Sequence, residues 1–170
     1  MTYLSYIIKA KNQYNIHSPY LFGLYCDVIN STIDNHHIGV ERPSKTDKII
    51  YKFANTFKPS TVYINPSIDD KIHKIISQAT KHCHTSITHT FSPSLIDMAI
   101  ITSINEWQNI KNMIHTQSIV IWLMPHTNQH TEQEFETFKA DGKIKVCIDM
   151  YKIGIALFLT QLHKENYLLK

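Results

Sequence analysis

Over the first third of the chain the apolar positions recur at the three-to-four residue spacing of a helix face. A short helix is predicted over 3–10. A second begins in "HSPYLFGLYCDVIN", where Ser18 is placed to cap and Pro19 suits the first helical position. Leu21, Leu24, Tyr25, Val28 and Ile29 share its inner face. After the polar stretch "STIDNHHIGVERPS" a third helix is expected from Lys45 to Phe57. Ser44 caps it, Asp47 sits in its first turn, and Ile49, Ile50, Phe53, Ala54 and Phe57 turn inward.

From Thr61 the pattern changes to alternating strands and helices. Strands are predicted at 61–65, 85–91, 95–102 and 118–124, with helices at 68–82, 104–116 and 131–140. "SLIDMAIIT" and "SIVIWLM" are near-continuous apolar runs, as parallel strands covered on both faces require. "KIKVCIDM" alternates, which predicts one more exposed face. "IGIALFL" follows so closely that the two must pair antiparallel, as a hairpin of 143–150 with 152–160. The strand at 61–65 is expected beside 95–102, and "NYLLK" offers a last short strand. The fold class is therefore α/β: a Rossmann-like three-layer α/β/α sandwich, its sheet mostly parallel with a C-terminal antiparallel hairpin and an N-terminal helical cap. A single domain is expected over 1–170, with the cap region at 1–58 and the core at 59–170.

Composition narrows the partners. The 170 residues suit one core, and 43% hydrophobic with 18% charged residues describes a globular chain. The net charge of +3 is spread without a basic patch and Arg42 is the only arginine, which disfavours nucleic acid. Cys26, Cys83 and Cys147 are odd in number and lack C-x-x-C spacing, so a reducing cytoplasm is expected. "MTYLSYIIKAKNQ" has neither a basic start nor a small-residue cleavage site, and no apolar run reaches membrane length. No membrane association is expected.

Two long segments resemble a bacterial family of class I S-adenosylmethionine-dependent methyltransferases. "YLSYIIKAKNQYNIHSPYLFGLYCDVI" is similar to that family's N-terminal "AKN…G-x-HSPF" segment. "FETFKADGKIKVCIDMYKIGIALFL…KENYLLK" is similar to its C-terminal stretch, "V-x-V-x-IDL-[FY]-x-x-G-[LI]-x-FF" and a final "HF-x-L". Between them "LIDMAIIT" resembles "LDFVFIDG" and "IVIWLMPHTNQ" resembles "SVFIFDDIHWS". Together the matches cover well over half the chain, in the right order.

The departures fall on the chemistry that the resemblance implies. Where the family has "ELG-x-x-x-G-x-S", with glycines that let the cofactor approach the backbone, this chain has "TVYINPSIDD" and no glycine between Gly39 and Gly142. Ser67 is expected to cap the helix that follows. Asp69 and Asp70 then fill its first turn, where a cofactor carboxylate would meet like charge. The family's ribose-binding acid has no counterpart in "TSITHTFSPS". Its next helix and third strand are also missing, since three residues separate Phe91 from Leu95. The acids of "FIDG" and "FDDIH" correspond to Thr102, Leu123 and Met124, and only His126 survives.

Other constellations read as structure. "HCH", His82 to His84, cannot turn three adjacent side chains onto one ion, and the segment holding His126 and His130 reads as a loop, so no metal site is expected. Thr131 with Glu134 is expected to cap the following helix. Cys83 between histidines lacks a placed base, and His17 in "HSP" is expected to fix the start of its helix. No nucleophile elbow, phosphate loop or H-E-x-x-H is present.

The reading is a shortened, degenerate methyltransferase-like protein, catalytically inactive and not binding S-adenosylmethionine, retained as a scaffold for binding or for pairing with a protein partner or itself. No cofactor is expected and no catalytic residue is assigned. The rivals are an active methyltransferase holding S-adenosylmethionine in an altered site, and a nucleic-acid or small-molecule binding module. Any surviving ligand site is expected above the strand ends, lined by Asn65, Ser67, Thr102, Ser103 and His126, polar residues without a strong acid among them. His126 is the one of these that could change charge near neutral pH. The other expectation for this region is a closed crevice, filled by Tyr63, Trp122 and Met124.

Overall fold

The computed structural model describes residues 1–12, 16–91 and 94–170. Gln13–Asn15 of the N-terminal motif, and Ser92 and Pro93 before the third strand, lie outside the described residues.

Helix α1 spans Tyr3–Lys9, and its first amides are capped by the Thr2 hydroxyl. Helix α2, Pro19–Leu24, starts as expected with Ser18 accepting from the Leu21 amide and Pro19 in the first turn. It then widens into a π-helical turn over Tyr25–Ile29. Lys52 Nζ ties off that turn, donating to the carbonyls of Ile29 (2.6 Å) and Ser31 (2.8 Å). The polar stretch after it holds a 3-10 turn, Asn35–Ile38, that pins Ile38 into the core. Helix α3, Lys45–Phe57, carries a full capping box between Ser44 and Asp47. Its face is as predicted except for Phe57, which remains 37% exposed.

Seven strands form one sheet: β1 Thr61–Ile64, β2 Ser86–Thr88, β3 Ile96–Ile101, β4 Ile114–Leu123, β5 Val146–Asp149, β6 Ile153–Leu157 and β7 Glu165–Leu168. Their order is β2-β1-β3-β4-β6-β5-β7. Only β6 runs against the rest, antiparallel to β4 and β5. The predicted neighbours β1 and β3 are hydrogen-bonded in parallel, and β5 with β6 is the predicted hairpin. Helices α4 Asp70–Ala79, α5 Ile104–Ile110 and α6 Gln129–Ala140 complete the chain.

Strand alternation divides the sheet into two apolar faces. Val62, Ile64, Met98, Ile100, Ile119 and Ile121 join the core beneath α2, α3 and α4. Tyr63, Ala99, Ile101, Val120 and Trp122 join a second core with Trp107 of α5 and Phe135 and Phe138 of α6. This is the Rossmann-like three-layer sandwich, with the N-terminal helices covering one face. No helix among the described residues is long and apolar enough to cross a membrane.

Three local expectations are corrected. The helix expected over 104–116 ends at Ile110, and β4 begins at Ile114 instead of 118. The register between β3 and β4 shifts there, and the bulge is held by Ser118, which accepts from the His115 amide and donates to the Ile96 carbonyl. Strand β5 is buried on both faces: the face that alternation marked as exposed turns Cys147 into the core of α5 and α6, while β7 pairs along the strand's edge. Helix α6 starts at Gln129 on a capping box between Asn128 and Thr131, not Thr131 and Glu134.

Candidate functional site

At the C-terminal end of β1 Asn65 bonds to the protein itself through its backbone and both ends of its side-chain amide. The Asn65 amide donates to the Ile100 carbonyl (3.2 Å), and Asn65 Oδ1 accepts from the Ser67 amide at 2.6 Å. Asn65 Nδ2 bridges to Thr102 Oγ1 (3.3 Å), tying the ends of β1 and β3 together. His89 Nδ1 lies 3.0 Å from the Ile64 carbonyl oxygen, so the ring donates there in its Nδ1–H tautomer. The cap of α4 is Asp69, accepting from the Lys71 amide; Ser67, expected in that role, is exposed one step earlier in an Asx turn.

Sequence reasoning missed the acid in this cluster. Glu106, in the first turn of α5, accepts from the amides of Thr102 (2.6 Å) and Ser103 (3.3 Å). Ser103 reciprocates by accepting from the Glu106 amide. Burial pushes the Glu106 carboxyl up, partly offset by those hydrogen bonds. "SINE", residues 103–106, is a Ser-x-x-Glu capping box, the signal that could have placed this carboxylate. A side-chain carboxylate thus occupies the amides at the end of β3.

The structure therefore brings Asn65, Ser67, Thr102 and Ser103 into one hydrogen-bonded group, whereas His126 makes its contacts elsewhere. His126 Nε2 donates to Asp149 Oδ2 at 2.8 Å, with side chains 1% and 4% exposed. Its Nδ1 is buried without a hydrogen-bond partner, 3.6 Å from Glu132 Oε1. Tyr151 stacks on the imidazole (centroids 5.3 Å apart, planes at 18°) and Phe135 meets it edge-on. Glu132 is also bound by the Met1 amino group. None of the five expected residues is an acid, but three acids adjoin them: Glu106 beside Thr102 and Ser103, and Asp149 and Glu132 beside His126.

A carboxylate–imidazole pair is the geometry of a general base. Here the free nitrogen faces Glu132 beneath an aromatic ring, and no Ser, Thr or Cys hydrogen-bonds to it among the described residues. Cys147 is wholly buried, which pushes its thiol far up and leaves it unreactive. Of the three bulky side chains expected to plug a closed crevice, Tyr63 and Trp122 are buried in the α5/α6 core and Met124 is 50% exposed. Among the described residues no group of three or more His, Cys, Asp or Glu is placed to hold a metal ion.

Two non-glycine residues of this end adopt left-handed backbone: Met124 (φ 53°) after β4 and Tyr151 (φ 66°) between β5 and β6. The Met124 amide donates to the Lys152 carbonyl, so the two turns brace each other. Compared with known proteins, the chain matches no family model and no curated protein.

Proposed function

We propose that the chain is a degenerate, methyltransferase-like scaffold that binds no S-adenosylmethionine and carries out no turnover. The observation that carries this reading is the occupied junction after β1. Asn65 Oδ1 holds the Ser67 amide, Asp69 caps α4, and Glu106 holds the amides of Thr102 and Ser103. A cofactor of the resembled family would need backbone approach at this turn. It would meet side chains already bonded there, and the added negative charge of Asp69 and Asp70.

The sheet supports the same reading. Strand β2 stands at its edge with only three residues, beyond which the resembled family would add the strand that this sequence lacks. At the place of the ribose-binding acid, His89 is bonded to the Ile64 carbonyl instead. Three lost or opposed contacts at about 1–3 kcal/mol each lower affinity by several orders of magnitude. The buried His126–Asp149 pair has no Ser, Thr or Cys bonded to it among the described residues, which fits a structural role better than catalysis.

Isothermal titration with S-adenosylmethionine and S-adenosylhomocysteine tests the reading. Heats indistinguishable from dilution are expected at protein concentrations of tens of micromolar. A micromolar dissociation constant would overturn the reading, and weakening by Asn65→Ala would put the cofactor at the β1 turn, as the enzyme alternative requires. Retention on heparin at moderate salt would favour the nucleic-acid alternative.

A further inference from the structure

A cavity of about 700 Å³ opens beside the β5–β6 turn, between α1 and the start of α3. None of the residues of the occupied β1 turn lines it. Its size is that of a small-molecule site. Three tyrosines form one wall: Tyr3 and Tyr151 meet edge to face at 5.0 Å, and Tyr6 packs on Tyr151 at 5.1 Å. Ile49 and Ile153 make the apolar floor.

The polar lining is one-sided. Lys45 and Lys152 stand at the rim, with Lys170 beside them, and no Asp or Glu side chain lines the cavity. Among the described residues Lys45 and Lys152 make no ion pair, although both are exposed. Two carboxylates next in sequence to lining residues are already committed, Asp149 to His126 and Asp47 to Lys71. The Tyr6 hydroxyl donates to the Leu169 carbonyl. Burial, with the Asp149 charge next, pushes that phenol far up, so it stays neutral and does not repel an anion. The wall also contains Tyr151, whose left-handed backbone is strained for a side chain of its size.

We infer that this cavity is a binding site for an aromatic organic anion, its ring held among Tyr3, Tyr6 and Tyr151 and its carboxylate or phosphate between Lys45 and Lys152. Ring faces and edges supply sequence-independent stacking for a flat apolar body, and unpaired ammonium groups fix the charged end. The inference does not rest on the methyltransferase-like reading: the cavity is built from residues outside the β1 turn, so the Lys45 and Lys152 variants read it and Asn65→Ala reads the turn.

The probe is 8-anilinonaphthalene-1-sulfonate, compared with N-phenyl-1-naphthylamine, the same ring system without charge. Fluorescence titration of the folded chain is expected to saturate at one site, with the anion bound at least about tenfold more tightly than the neutral dye. Lys45→Gln with Lys152→Gln removes that advantage and leaves the neutral dye unchanged, while Lys74→Gln with Lys81→Gln changes neither. Both lysines of the pair are exposed and make no ion pair among the described residues, and an unchanged melting temperature verifies that the double variant folds. Competition by 1-naphthoate or 1-naphthyl phosphate is expected to displace the probe, and the stronger of the two names the headgroup. Equal binding of the neutral dye, indifference to the lysine pair, or displacement by dodecanoate alone would overturn the assignment.

Discussion

Gly154 of β6 lies directly under the ring of Phe135: a Cβ built on it would stand 2.4 Å from Cζ and 2.5 Å from Cε2. Phe135 is wholly buried against Trp122 and Phe138, so the ring cannot swing into solvent. Gly154→Ala is expected to cost about 1–3 kcal/mol by overpacking. Phe135→Leu alone also destabilises, but the double variant should lose less than the two single effects together, because the smaller side chain makes room for the methyl. Urea unfolding of the four proteins gives the coupling directly.

The His126–Asp149 pair predicts a graded response. Asp149 holds His126 through Oδ2 and the Tyr151 amide through Oδ1 (3.0 Å). Asp149→Ala strands both donors in a buried site and is expected to cost about 2–4 kcal/mol. Asp149→Asn keeps one acceptor oxygen, which can still take the Tyr151 amide, and should cost about half as much. Equal losses in denaturant midpoint for the two variants would show that the contacts at Asp149 are not what matters there.

Tyr151 separates ring from backbone. Both Tyr151→Ala and Tyr151→Gly lose the stacks on His126 and Tyr6. Glycine alone relieves the left-handed φ of 66°. Tyr151→Gly is therefore expected to be about 1 kcal/mol more stable than Tyr151→Ala, the reverse of their order at an ordinary strand or helix position.

Asp47 predicts an acid-range dependence. Burial alone would raise its carboxyl, but hydrogen bonds from Lys71 Nζ (2.6 Å) and from Ser44 outweigh burial and hold it below the usual range. A carboxyl depressed in the folded state adds stability that is fully present above its unfolded pKa, near 4, and lost as pH falls through the lower folded value. Asp47→Asn should thus cost about 1–2 kcal/mol at pH 7, with the gap to wild type constant down to about pH 5 and closing below it. Thermal unfolding from pH 2 to 7 reads both limbs.

The layers of the fold were legible because apolar spacing survives any change of ligand chemistry. Helix faces in α2 and α3, the continuous runs of β3 and β4, and the short gap forcing β5 and β6 into a hairpin were all present in the sequence. The burial of β5 was not, since alternation along a strand does not say whether a helix packs on its second face, and here α5 and α6 do. The early start of β4 was hidden by "IHTQS", a polar stretch that pairs through a bulge. At the site, Asn65 and Thr102 were correctly grouped by strand-end position. Glu106 was not legible in the strand-end grouping because it lies in the first turn of the next helix, where only the Ser-x-x-Glu spacing of "SINE" marks it. His126 was, but its partner Asp149 lies 23 residues on and only the folded chain joins them.

Helix α1 has a consequence for the order of events on the ribosome. Its anchors are the Tyr6 hydroxyl on the Leu169 carbonyl, 163 residues away, and the Lys11 amide on the Leu168 carbonyl. Neither partner exists until residues 168 and 169 have been made, whereas β1 and β3 can pair much earlier. Until then α1 waits with Leu4 and Ile8, still 70% and 77% exposed after folding, and with Tyr6 not yet buried. A helix made before every strand of the sheet is among the last elements to dock, and a nascent chain stalled before β7 leaves that apolar helix free to find another partner.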